Sequence, residues 1–215
     1  MPAKPIQPAA RRPSRKWRGW WLRQLHSWHW MSAAVSLVGM LLFAVTGITL
    51  NHAATISATP VVAERAGMLS AALLHTLAGP HEADAPLPGP VAAAVRDAVG
   101  LEPAGKPGEW SDGDVYVALP RPGGDGWISI DRASGRITSE LTTRGWISYL
   151  NDLHKGRNAG SAWGWFIDVF AAACVVFTLT GLLLLQLHAA KRRLTWPIVA
   201  AGVVAPVALI ILFIH

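Results

Sequence analysis

The stretch "WHWMSAAVSLVGMLLFAVTGITL", residues 28–50, decides the fold because it carries no formal charge. About 20 apolar residues in an α-helix cross the hydrocarbon core of a bilayer. The stretch therefore predicts a transmembrane helix over residues 24–51. Two later apolar runs predict further spans over residues 162–188 and 196–215. We expect a membrane protein that is mainly α, with three transmembrane helices.

The composition supports this class and excludes several others. The chain is 52% hydrophobic and 15% charged, whereas soluble domains carry about 25% charged residues. Its single cysteine, Cys174, excludes an intramolecular disulfide and a cysteine-rich metal centre. The net charge of +6 would suit nucleic acid, but the basic residues cluster beside the apolar runs and no nucleic-acid-binding motif occurs. We predict a lipid bilayer as the environment and no nucleic-acid partner.

Basic residues in the short flanking segments predict the orientation of the helices. Residues 1–23, before the first helix, and residues 189–195, between the second and third, are both rich in lysine and arginine. The positive-inside rule places such segments in the cytoplasm. The amino terminus is therefore predicted to be cytoplasmic, with residues 52–161 and the carboxyl terminus on the outer side.

Residues 52–161 are polar enough to form a small α+β domain between the first two spans. The proline-rich residues 80–90 predict a linker. "GPVAAAVRDAVGLEP" predicts a helix that ends at Gly100, "DVYVALP" a strand, and "GWISIDRASGRITSEL" a hairpin that turns at residues 131–135. This gives one helix with two or three strands. In residues 53–79, which are harder to assign, "AGMLSAALLHTLAG" is interpreted as another helix.

Five of the eight histidines stand close to the predicted ends of the first two spans. Because these spans are antiparallel, His26 or His29 can face His188 near one surface, and His52 can face His154 near the other. Two imidazoles on facing apolar helices are the axial ligands that a b-type haem requires. The alternative is that an interfacial histidine only anchors a helix end.

The spacing leaves the number of haems open. His26 and His52 are 26 residues apart, which is about 39 Å along a helix, so one-haem and two-haem arrangements are both considered. Lys155 and Arg157 oppose the charge rule on the outer side, and we expect them to neutralise haem propionates. No catalytic side chain is predicted, since the chain lacks the H-E-x-x-H, G-x-S-x-G and P-loop motifs.

Two helical segments resemble those of PepSY-associated transmembrane proteins: "WLRQLHSWHW…AVTGITLNH", and "DLHKGR" followed by "TLTGLLLL". "WISIDRASGRIT" resembles the strand-turn-strand of a PepSY module. The resemblance covers residues 17–55 and 90–197 and leaves residues 56–89 unmatched. It implies an inner-membrane protein of Gram-negative bacteria linked to iron or siderophore handling, with larger relatives that resemble haem-containing reductases of periplasmic ferric siderophores.

Carried over by position, the histidines of the family fall on His26, His52 and His154. His188 is supported by geometry rather than by motif, and His29 stands where an aliphatic residue is usual. Since the larger relatives have more helices, a homodimer is one way to complete a haem site.

Two functions follow as hypotheses. In the first, haem b takes electrons from a quinol or a cytoplasmic donor and passes them to a periplasmic acceptor such as ferric siderophore iron. In the second, the chain is a non-enzymatic, membrane-anchored PepSY module that binds a periplasmic partner protein. No role is assigned to His215 or to residues 56–89.

Overall fold

The computed structural model describes residues 15–56 and 58–214, so predictions for residues 1–14 and for His215 lie outside the described residues. Three helices are long and apolar enough to cross a membrane: α1 (Arg15–Asn51), α5 (Gly160–His188) and α6 (Thr195–Phe213). The 29 residues of α5 extend over about 44 Å, which exceeds the roughly 30 Å of a hydrocarbon core. A sheet domain lies between α1 and α5 in sequence. The predicted fold class is confirmed.

The chain forms two compact units. Of the described residues, the helical unit comprises 15–40 and 168–214, and the domain unit comprises 41–56 and 58–167. The first contains α6 and the larger parts of α1 and α5. The second contains the last turns of α1, the first turns of α5 and the domain inserted between them.

Helix α1 starts earlier than the predicted boundary at residue 24, since residues 15–23 are already helical. Arginine, lysine and leucine, which make up five of these nine residues, are strong helix formers. The basic and aromatic flank therefore continues the helix beyond the apolar run.

The two sides of α1 differ in the size and polarity of their side chains. Buried or half-buried residues recur at intervals of three or four and are mostly small or polar: Leu25, His29, Ser32, Ser36 and Gly39. The large residues on the opposite side are exposed, and Val35, Val38 and Leu41 each keep 65% of their surface. Helices that pair inside a membrane show this pattern, because small residues let the backbones approach and large ones face lipid.

Gly39 shows how close the approach is within the helical unit. A Cβ atom at this position would lie 2.5 Å from Cε2 of Phe170 on α5. The Phe170 ring therefore occupies the space that a larger side chain at position 39 would need.

The inserted domain is a five-stranded antiparallel sheet in the order β1-β5-β4-β3-β2. Its strands are β1 (Val61–Met68), β2 (Glu109–Trp110), β3 (Asp114–Ala118), β4 (Gly124–Asp131) and β5 (Arg136–Thr143). Its helices are α2 (Ala71–His75), α3 (Gly89–Val99) and α4 (Gly145–Lys155).

The core lies between α3 and one face of the sheet. Alternate residues of β4 are buried, including Ile128 and Ile130, because successive side chains of a strand point to opposite faces. They pack with Val91 and Val95 of α3 in one apolar cluster. The predicted helix is confirmed, and Gly100 ends it in the left-handed conformation.

The predicted hairpin is also confirmed, but the prediction of only two or three strands is wrong. β1 includes residues 66–68 of the segment interpreted as a helix, and α2 is only Ala71–His75. Pairing with β5 along all eight residues of β1 outweighs the modest strand preference of that segment.

The proline-rich segment before α3 is tied to the domain rather than acting as a free linker. Leu87 is 5% exposed and belongs to the core. Pro86 forms a bridge with Pro107, and the Ala85 carbonyl accepts a 2.7 Å hydrogen bond from Trp110 Nε1. Prolines exclude regular structure here but not packing.

The turn of the hairpin contains a carboxyl group, Asp131, whose pKa is lowered by hydrogen bonds. The hydroxyl and amide of Ser134 and the amide of Ala133 donate to Asp131 Oδ1 and lower the pKa of this carboxyl. A lowered pKa adds stability at pH values above the ordinary pKa of aspartate, and that stability is lost as the pH falls through the lowered value. Ser134→Ala removes the largest cause, so we expect the Asp131 pKa to rise, as followed by NMR titration of its carboxyl carbon.

Asp97, on the exposed side of α3, serves as the control in the same spectra. An unchanged Asp131 midpoint in the variant would contradict the assigned cause.

Candidate functional site

In the helical unit, His29 of α1 is half-buried and contacts α5. Its Nδ1 lies 3.1 Å from Thr180 Oγ1 and 3.2 Å from the Phe177 carbonyl oxygen. Its ring stacks on Phe177 with 4.7 Å between ring centres. The Thr180 hydroxyl donates its own proton to the Val176 carbonyl at 2.7 Å, so its oxygen accepts from His29. A proton therefore sits on Nδ1, and in the neutral imidazole Nε2 keeps a lone pair.

In the domain unit, His154 of α4 has the same surroundings. Its Nδ1 lies 2.7 Å from Thr46 Oγ1. The Thr46 hydroxyl donates to the Leu42 carbonyl at 2.7 Å, so it too accepts from the imidazole. The His154 ring lies 4.8 Å from the ring centre of Phe43. Again Nδ1 is protonated and Nε2 is free to bind another group.

Each threonine is followed by a glycine that leaves room for the imidazole. A Cβ at Gly181 would lie 3.2 Å from Cε1 of His29, and one at Gly47 would lie 3.6 Å from Cε1 of His154. The two Thr-Gly pairs of the sequence thus each meet one histidine. The same local arrangement occurs once in each unit.

His26 and His188 form the third imidazole contact, again in the helical unit. Their ring centres are 6.4 Å apart and their planes are at 90°. Each Nδ1 bonds to the carbonyl four residues earlier, that of Leu22 at 2.8 Å and that of Leu184 at 2.7 Å. Neither Nε2 has a hydrogen-bond partner among the residues that the structure describes. This pair agrees with the predicted juxtaposition of His26 and His188.

The predicted partner of His154 was His52, but the structure gives His154 a different neighbour. His52 is exposed, and its Nδ1 bonds to the Ile48 carbonyl of its own helix at 3.0 Å. His154 instead contacts residues 43–47, the nearest of which precede His52 by about a turn and a half. The cause is helix α4, which was not predicted from the sequence. His154 lies in the last turn of α4, and Gly156, with φ of +67°, caps the helix directly after Lys155.

Lys155 and Arg157 follow His154, and the structure gives Lys155 a carboxylate partner. Lys155 Nζ lies 3.3 Å from Asp152 Oδ1. The other oxygen of Asp152 accepts the Gly123 amide at 2.9 Å. Arg157 is exposed, and its amide donates to the Asp152 carbonyl. The charge of Lys155 is therefore partly neutralised within the protein.

Within residues 15–56 and 58–214, no group of three or more histidine, cysteine, aspartate or glutamate side chains is arranged to hold a metal ion. The histidines are available only singly or as a pair.

Three apolar helices and a five-stranded domain between the first two define a polytopic membrane protein with one extramembrane domain. A family model described as PepSY_TM-like matches residues 20–215. The chain belongs to this PepSY-TM-like family. The match includes residues 56–89, which the resemblance drawn from the sequence had left out, and agrees with the place of β1 in the sheet. No curated protein and no solved structure matches the chain significantly.

Sequence reasoning gave too little weight to three residues: His29, Thr46 and Thr180. The signal that identifies His29 is spacing. Leu25, His29, Ser32 and Ser36 follow intervals of four, three and four, which mark a helix face that packs on a partner. Polar residues on such a face inside an apolar run indicate hydrogen bonds between helices.

We predict that Thr180→Val changes the tautomer of His29. The variant keeps the shape of the side chain but removes the nearer of the two acceptors of Nδ1 and leaves only the Phe177 carbonyl, so the population with the proton on Nδ1 should fall. Interhelical hydrogen bonds of this kind contribute roughly 0.6–2 kcal/mol. The measurement is the ring ¹⁵N chemical shifts of protein labelled at histidine, in detergent micelles.

Thr178→Val is the matched control, since Thr178 lies on the same helix and is exposed. Thr180→Ser should restore the wild-type shifts. If Thr180→Val leaves the His29 nitrogens unchanged, the hydroxyl does not set the tautomer.

Proposed function

We propose that this protein is a b-type haem electron-transfer component in which His26 and His188 bind haem as axial ligands. The observation that carries the proposal is the contact of these two imidazoles between α1 and α5, 6.4 Å apart at their ring centres. Both are on helices able to span a bilayer, whose apolar faces would surround a macrocycle.

The distance between the two rings suits a shared iron. Imidazole nitrogens bind metal ions at about 2 Å, which would put two such rings roughly 6 Å apart, centre to centre. The rings are in an edge-to-face arrangement with their planes at 90°, so one ring would have to turn before both Nε2 atoms faced the same iron. Each Nδ1 is bonded to a backbone carbonyl, which leaves Nε2 as the ligand atom and fixes the orientation of the ring.

Bound haem b would supply one-electron chemistry, and the side chains of this protein would hold and surround it. The carbonyls of Leu22 and Leu184 orient the two imidazoles. Arg23, Arg192 and Arg193 are close to these histidines in sequence and exposed, so their charges suit the anionic propionates.

Transfer to the far side of a bilayer requires a second centre, and we assign His154 to it. Its Nδ1 is held by Thr46, so Nε2 is the free nitrogen, and Arg157 supplies an exposed positive charge nearby. Lys155 has a smaller part in propionate binding than the sequence predicted, because Asp152 is its partner. The second ligand would be His52 after a movement of the last turn of α1, or a histidine from a second copy in a homodimer.

The proposed direction of transfer is outward. The positive-inside rule favours a cytoplasmic amino terminus, and the family resemblance implies a bacterial inner membrane with the inserted domain in the periplasm. A quinol or a cytoplasmic protein would be the donor. A periplasmic acceptor such as ferric siderophore iron would receive the electron.

A second candidate function is a membrane-anchored module that binds a periplasmic protein. The exposed edge of the sheet favours it, because β1 is an outermost strand and, within residues 15–56 and 58–214, pairs with β5 alone. A free strand edge can take up an extended peptide by main-chain hydrogen bonds. Slower hydrogen exchange of β1 amides on addition of a periplasmic extract fraction, without any haem spectrum, would support this function instead.

The test is a reduced-minus-oxidised visible spectrum of protein expressed with ample haem and purified in mild detergent, with haem counted as its pyridine complex. We expect a Soret band and an α band. His26→Ala and His188→Ala should each remove the same haem, because each leaves the iron with one axial ligand. His154→Ala should remove the other haem alone.

His75→Ala is the control, since His75 ends the short helix α2 in the inserted domain and plays no part in either site. It should leave both signals intact. Absence of any Soret band from the wild-type protein would refute the proposal. Retention of the full signal in His26→Ala or His188→Ala would refute this pairing.

A further inference from the structure

Helix α4 has its polar side turned towards the protein. Asn151 and Asp152 are each 7% exposed. Asn151 Oδ1 accepts a 2.7 Å hydrogen bond from Thr49 of α1, and Asp152 accepts the amide of Gly123. The hydrophilic residues of this amphipathic helix are therefore used within the domain unit.

The apolar side of α4 is turned outwards. Trp146 keeps 70% of its surface and Tyr149 keeps 46%. Leu150 and Leu153 continue the same side at helical spacing and are half-buried. A helix of a water-soluble domain has the opposite arrangement, with its aromatic residues inside.

The position of α4 puts this face beside the bilayer. Asn151 and His154 contact Thr49 and Thr46, which lie in the last turns of the α1 span. After Gly156 the chain enters α5, the next span. The polar side of α4 is thus attached to the end of one candidate span, and its chain leads directly into the next.

The flanking residues also match a lipid surface. Trp163 and Trp165 follow α4 at the start of α5, and Trp165 is 72% exposed. Tryptophan and tyrosine collect at the level of lipid headgroups. Arg157 follows α4 and is exposed, so positive charge stands at one end of the apolar face, where phosphate groups would lie. Arg144, which precedes α4, is paired with Asp125.

We propose that α4 is an interfacial helix that lies in the headgroup layer of the membrane with Trp146 and Tyr149 against the acyl chains. Amphipathic helices of this kind bury their apolar face about 5–10 Å deep. The Tyr149 backbone packs against Gly123, where a Cβ would come within 2.7 Å of Tyr149 Cα. The helix is thus part of the domain and anchors it at the lipid surface. The proposal does not depend on haem binding.

The test uses nitroxide labels on single cysteines at positions 146 and 149, in a Cys174→Ser background. The full chain is reconstituted in vesicles of phosphatidylethanolamine and phosphatidylglycerol. Both substituted side chains are exposed, so folding should be preserved. Collision with oxygen and with a water-soluble nickel complex is measured by EPR power saturation. Leu179→Cys on the exposed surface of α5 is the lipid reference, and Asp97→Cys on α3 is the aqueous reference.

We expect labels at positions 146 and 149 to collide more with oxygen than with the nickel complex, at a depth between the two references. Values equal to those at position 97 would overturn the proposal. Shielding from both reagents would also overturn it, because a protein surface would then cover the face. Photolabelling of the unsubstituted protein by a diazirine phospholipid should modify the peptide that contains α4, and lack of modification there would count against the proposal.

Discussion

Inside an apolar helix pair no water is available to a hydroxyl group, so a serine or threonine there must hydrogen-bond to protein. The hydroxyls of α1 and α5 meet this constraint by donating to carbonyls four residues earlier: Ser32, Ser36, Thr46 and Thr180. Each of these hydrogen bonds uses the one proton of the hydroxyl group, so the hydroxyl oxygen can only accept a further hydrogen bond. At Thr46 and Thr180 an imidazole N–H uses that acceptor. The tautomers of His154 and His29 therefore follow from the chemistry of the helix backbone.

The membrane-spanning helices could be predicted from the sequence, because a long apolar run without charged residues is a sufficient signal for such a helix. The α3 helix and the β4–β5 hairpin were readable because Gly100 and the turn at residues 131–135 mark their ends. β1 was missed because its sequence, "VVAERAGM", holds alanine, glutamate and glycine, which are depleted in strands, and only the pairing with β5 makes it a strand. α4 was missed because its residues obey helical spacing with the polar side inward, which reverses the pattern expected of a soluble domain.

The sequence predicted that histidines form the candidate site, but it did not predict which side chains each histidine contacts. Histidines near the ends of antiparallel apolar helices could be identified from position, and His26 with His188 agrees with that reasoning. The contact of His154 with Thr46 depends on the register between α4 and α1, which no single segment encodes. One turn of helix is about 5.4 Å, so a small error of register moves a histidine from one partner to another.

The outer strand β1 also bears on how copies of the protein behave when they are crowded in one membrane. Two copies related by a two-fold axis perpendicular to the sheet can join their β1 edges only as an antiparallel pair. In such a pair, one residue lies directly opposite the same residue of the other copy. A pair centred in the strand would set Glu64 opposite its own counterpart, or Arg65 opposite its own. Like charges directly opposite each other destabilise a sheet. The two central residues of the edge thus oppose self-association into a continuous sheet while leaving the edge open to a strand of different sequence.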